Sequence, residues 1–218
     1  MINHKAIVTA LGDHLLDLSV CTTGSITVTV TSTAYTRASG SFVTDGFEPG
    51  MEVAGTGFNE SENNSAKTIL GVSALSLTCS GLTAEGAGSR TLSVGLPAGQ
   101  AWENVHYEPT TGDPWIEENY LPGPMEQITL GSFGELEVFP TYVIKVYTPI
   151  NVGMSAIRSY VDAILSHFAP RTELTVANHA VMVRTQPAPY SGQILRLDSG
   201  FVVCPVTVPL RVRTANTI

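Results

Sequence analysis

An α+β fold, a mixed and mainly antiparallel sheet packed by two helices with a small all-β domain (barrel- or sandwich-like) inserted, is what this 218-residue sequence predicts. Three observations carry that reading. Residues 141–168 read as a strand, a turn at Asn151 and Gly153, and a regular helix, since Ile157, Tyr160, Val161, Ile164, Leu165 and Phe168 share one helical face. Residues 22–98 are rich in Gly, Ser and Thr and carry short alternating apolar runs with no helical period. The C-terminal third alternates again, which predicts antiparallel strands closing the sheet.

Taken in order, residues 3–18 form the first helix, with Ile7, Val8, Leu11, Leu15 and Leu18 on one stripe and Asn3 as its cap. His14 borders that stripe and reads as a packing residue, without companions at metal-ligand spacing. The β-insert follows, punctuated by Asp45-Gly46, Pro49-Gly50, Gly55 and Gly57. Its Tyr35, Phe42, Phe47 and Phe58 are expected in its core, although clustering on one exposed face would instead signal binding. The α+β domain is therefore residues 1–21 with 99–218, and the insert residues 22–98.

Beyond the insert, residues 101–105 are expected as a short strand and Trp115 to Leu121 as a second extended piece, stopped by Pro122-Gly123-Pro124. The acidic passage up to Gly134 holds too many Pro and Gly residues for a helix and predicts arms or loops. One strand is expected over residues 136–147, with Pro140 at a bulge or an edge. Asn151 is expected to cap the main helix and Pro170 to lie past its end. Residues 178–186 alternate Ala180, Met182 and Arg184 against His179, Val181 and Val183, and two strands, 193–197 and 201–212, join at Asp198-Ser199-Gly200. Pro205 and Pro209 place two missing N–H groups on one side of the last strand, which predicts a sheet edge.

Hydrophobic content of 43% suffices for a real core, and no apolar run is long enough for a membrane span, so a protein retained in the cytosol is expected. Cys21, Cys79 and Cys204 form no CxxC pair and read as free thiols. Asn59-Glu60-Ser61 and Asn63-Asn64-Ser65 match a glycosylation sequon but read as polar loop residues. The histidines are scattered, and neither phosphate-binding glycine loops nor a nucleophile elbow occurs. Catalytic, cofactor and metal residues are therefore none. Acids near Trp115 could mimic a hydrolase or carbohydrate site, against the simpler reading of an interface loop.

The formal net charge of −8 is unevenly spread: residues 103–137 hold eight acids and no Lys or Arg, while residues 138–218 hold seven basic residues against three acids. The two halves either neutralise each other within one fold or meet between subunits, head to tail. On the second reading the interface candidates are Glu117, Glu118 and Glu126 on the acidic side and Arg211 and Arg213 on the basic side, with Glu117 and Glu118 expected in a scarcely buried loop.

The order of elements resembles tail terminator proteins of long-tailed bacteriophages: a first helix, Ala101-Trp102-Glu103-Asn104-Val105 with a Pro-rich loop, the Gly131 turn, Tyr142 to Tyr147, a helix ending Ile164-Leu165-Ser166-His167-Phe168, and strands around Asp198-Ser199-Gly200-Phe201. The insert, with Asp45-Gly46-Phe47 and Gly50-Met51-Glu52-Val53, is similar to small β-modules that decorate phage structural proteins. The resemblance implies a non-enzymatic virion protein: a ring, generally a homo-hexamer, that caps the tail tube, stops its growth and offers the head a docking surface. Its partners would be tail tube and head-completion proteins, with DNA passing through the lumen unbound and no membrane involved. Another neck component, or a binding module built on the β-insert, remains as an alternative.

Overall fold

The computed structural model describes residues 2–102, 105, 107–129, 134–176, 179–184 and 186–215. Helix α1 (His4–Leu16) starts where the Asn3 side chain accepts the Ala6 N–H at 3.1 Å, as expected of its cap. Strands β1 (Cys21–Val30), β2 (Ala34–Arg37), β3 (Glu52–Thr56), β4 (Lys67–Val72), β5 (Ser76–Cys79) and β6 (Glu85–Val94) close a barrel in the order β1-β2-β5-β4-β3-β6. A one-turn helix, α2 (Ser61–Asn64), interrupts this otherwise all-β unit. Tyr35, Phe42, Phe47 and Phe58 are all buried, so the insert's aromatics form its core rather than a binding face. Gly55 is required where α2 crosses β3, because a Cβ there would lie 2.4 Å from the Asn63 carbonyl that accepts the Tyr35 hydroxyl. Asn63, in the second sequon, is wholly buried and donates to the Thr83 carbonyl at 2.9 Å.

The chain enters and leaves the barrel side by side, with Cys21 paired to Val94 and the Val20 N–H donating to the Val94 carbonyl at 2.8 Å. The second sheet follows: β7 (Gly99–Ala101), β8 (Trp115–Leu121), β9 (Met125–Gln127), β10 (Glu135–Val138), β11 (Thr141–Pro149), helix α3 (Ser155–His167), then β12 (Glu173–Val176), β13 (His179–Val183), β14 (Tyr190–Ser191), β15 (Leu195–Arg196) and β16 (Phe201–Ala215). Its main path is β12-β13-β16-β11-β8-β7, antiparallel except for the parallel pair β7 and β8. Ile116, Tyr120, Tyr142, Ile144, Val146, Val206, Val208, Leu210 and Val212 are buried on the face covered by α1 and α3. Each such side chain contributes about 1.5–3 kcal/mol of burial.

Several expectations need correction. The strand near residue 101 lies earlier, at Gly99–Ala101, with Trp102 beyond it; Glu103, Asn104 and the Gly131 turn lie outside the described residues. The acidic passage is not all arm, since β9 pairs with β10. The strand expected over residues 136–147 is two strands, because Pro140 breaks it between β10 and β11. Asn151 does not cap α3; Met154 holds the cap position, and Asn151 instead takes the left-handed conformation of the preceding turn, φ 68°. The first turn of α3 is tied to the barrel, where Glu48 accepts from Ser155 at 2.6 Å and Ser159 at 3.1 Å.

The largest correction concerns β16, which is central rather than an edge. It pairs with β11 along one side and with β15, β14 and β13 in succession along the other. Pro205 falls between the partners of β15 and β14, and Pro209 between those of β14 and β13. The missing N–H groups do share one side, but they fall where the partner changes and no ladder bond is due. Their carbonyls accept loop N–H groups instead, from Gly192 at 2.7 Å and Arg184 at 2.9 Å.

Candidate assembly interface

The face of the sheet away from the helices carries most of the charged side chains, because β8, β11 and β16 alternate. On β8, Trp115 and Glu117 point outward while Ile116 and Glu118 point inward. Glu117 accepts from Lys145 Nζ and the Tyr147 hydroxyl, both at 2.8 Å. Trp115 lies flat on Tyr147 at 3.6 Å between ring centroids, with Phe201 edge-on. The acids near Trp115 do not converge: Asp113 accepts from Thr68 at 2.5 Å, and Glu118 lies on the opposite face.

Glu118 overturns the loop expectation most fully. It sits on a strand, is 5% exposed, and takes the Tyr142 hydroxyl as a donor beneath Gly12 of α1. Burial pushes its carboxyl up, against the opposing pull of the Tyr142 bond. Glu117 likewise belongs to β8. Reversing these two charges would disrupt the fold instead of probing a surface.

Arg211 and Arg213 project from β16 and both bond Glu137 of β10, Arg213 Nε at 2.8 Å. Burial pushes the Glu137 carboxyl up, but the two guanidinium hydrogen bonds outweigh it and hold it below the usual carboxylate range. Together with the Lys145–Glu117 pair at 2.8 Å, these contacts join the acidic segment to the basic half within one chain. Neutralisation within the fold therefore accounts for Glu117, Glu137, Arg211 and Arg213. Glu126, on β9, is exposed.

Missed at the sequence level is a pocket of about 350 Å³ on this face, with Arg171, Arg184, Arg211 and Glu137 around Phe139 and Met182. Arg184 lies over the Phe139 ring at 5.0 Å. Arg171 sits in the turn after α3 with φ 74°, its N–H donating to the Val183 carbonyl at 2.9 Å. The shared parity of Met182, Arg184 and Arg211 across β13 and β16 was the available signal, but it needs the strand pairing to be read.

Among the described residues no group of three or more His, Cys, Asp or Glu could hold a metal ion, and no helix is long and apolar enough to cross a membrane. The three cysteines are free. His14 and His167 stack at 4.1 Å and join the C-terminal ends of α1 and α3 by reciprocal bonds to each other's carbonyl, of 3.3 and 2.6 Å.

No curated protein matches the sequence. One solved structure, which carries no functional name, is 19% identical over 54% of this chain and 79% of its own, with a TM-score of 0.42, a likeness too low to carry an argument. A family model described as phage tail terminator protein matches residues 87–210, from within β6 through most of β16, leaving the greater part of the barrel outside it. Since that match spans more than half of the sequence, the chain belongs to the phage tail terminator family and is a structural protein of the phage tail.

Proposed function

We propose that this chain assembles into a ring, generally a hexamer, at the head-proximal end of the tail, where it caps the tube, ends its polymerisation and presents the surface to which the head docks. The observation that carries this reading is the family match across the second sheet and α3. The outward sheet face supports it, with an arginine-rimmed pocket suited to a heterologous contact. Its partners are further copies of itself, the tube protein and head-completion proteins, met during assembly in the host cytoplasm. It acts without catalysis. A net charge of −8 suits a conduit through which DNA slides without adhering. The barrel decorates or braces the ring; with its aromatics buried, the binding-module alternative loses the feature that favoured it. Adding purified protein to tail tubes and imaging their ends tests the proposal. Capped tubes of arrested length are expected, and protein that neither forms rings nor caps tubes at any salt concentration overturns it.

A further inference from the structure

We propose that the arginine-rimmed pocket is the socket for the exposed arm, residues 121–129, of a second copy of this chain, with Glu126 as the arm's single acid, a contact that rests on the ring reading. In the pocket three guanidiniums face one carboxylate, Glu137, which Arg213 also shares from outside it. Among the described residues neither Arg171 nor Arg184 bonds a carboxylate, and the Arg184 guanidinium lies over the Phe139 ring. The site is thus positive in a chain whose net charge is −8. Arg171 keeps φ 74°, a conformation glycine adopts freely and an L side chain resists, so the turn carries this side chain against local preference.

The arm has the complementary chemistry. Its Leu121, Met125 and Ile128 are 53%, 54% and 39% exposed, and between them Glu126 is exposed and forms no ion pair among the described residues. Phe139 and Met182 give the pocket an apolar floor for Met125 or Ile128, while the guanidiniums receive the Glu126 carboxylate. About 350 Å³ holds a few side chains and not a nucleic-acid duplex. In its own chain the arm borders the pocket without lining it: pairing of β9 with β10 sets Glu126 opposite Glu137, and the Gly123 backbone is pressed on Phe139, where a Cβ would lie 2.0 Å from the carbonyl oxygen. An arm on one copy and a socket on the next make a head-to-tail contact, the kind that closes rings.

Sedimentation velocity of the full chain at low salt, over a concentration series, tests this. Wild-type protein should self-associate; R171E/R184E and, separately, E126K should each weaken association about tenfold or more. The charge-swapped combination of all three should recover part of the loss. R171G separates binding from folding, because relief of the left-handed strain should raise Tm while association falls. Association unchanged in both reversal variants overturns the socket and leaves the ring standing on other contacts. A wild-type chain that stays monomeric at every concentration overturns the contact too, and tube capping, read separately, tells whether the terminator reading falls with it.

Discussion

Glu118 and Glu137 are buried carboxyls on neighbouring parts of one sheet, yet they bend the pH dependence of stability in opposite directions. Glu137, held low by Arg211 and Arg213 against its burial, contributes stability that is present above its unfolded pKa and is lost as pH falls through its folded pKa. Glu118, pushed up by burial, contributes stability that is full below its unfolded pKa and is lost as pH rises through its folded pKa. Glu137→Gln should therefore destabilise by about 1 kcal/mol at neutral pH, with the gap to wild type closing in acid. Glu118→Gln keeps an acceptor for the Tyr142 hydroxyl and should stabilise by about 1 kcal/mol at neutral pH, its advantage also closing in acid. Tm measured against pH for the two variants checks both signs; a Glu118→Gln protein that melts lower than wild type at pH 8 contradicts the account.

At the scale of elements, α3 is the piece on which barrel and sheet converge. Ala156, Ile157, Tyr160, Val161, Ile164 and Phe168 are buried along one face, and the Tyr160 hydroxyl accepts the Glu52 N–H of the barrel at 3.1 Å. Ile164→Asp would place a carboxylate at a site of 0% exposure, costing several kcal/mol against roughly 5–15 kcal/mol of total stability. Soluble yield should collapse; unchanged yield and Tm would show that this face is not core. The helix face and its strand partner were legible because periodicity reports burial directly. The position of β16 was not, because a proline records only that no N–H bond is made, and a change of partner satisfies that as well as an edge does.

For the whole molecule, the barrel's paired strand ends at Cys21 and Val94 are what make an insertion geometrically simple. Replacing residues 22–98 with a short Gly-Ser linker should leave a folded remainder. That remainder should melt at lower temperature, since Tyr160 loses its barrel partner and Val152 the Gly50 backbone packed on it. Circular dichroism with no helix signal and no cooperative melt would refute modularity. Association of copies should weaken with salt, because exposed charge pairs are screened over about 8 Å at physiological ionic strength. Light scattering that shows the same particle at low and high salt would argue for a contact without charge.

The sequence by itself determined the element types that rest on local chemistry: the cap at Asn3, the stripe of α3, the Gly-rich all-β insert, the turn at Gly200, and the family. Only the tertiary structure decided which charges were already taken. Glu117 and Glu118 are adjacent in sequence, but strand alternation sends one to Lys145 on the outer face and the other beneath α1, and no composition of residues 103–137 distinguishes them. Likewise the arginine pocket draws on β10, β13, β16 and the turn after α3, whose proximity is set by strand order. Pairing across a sheet is a long-range choice made by the burial of whole faces, so the residues that share a site through it carry no common local signature.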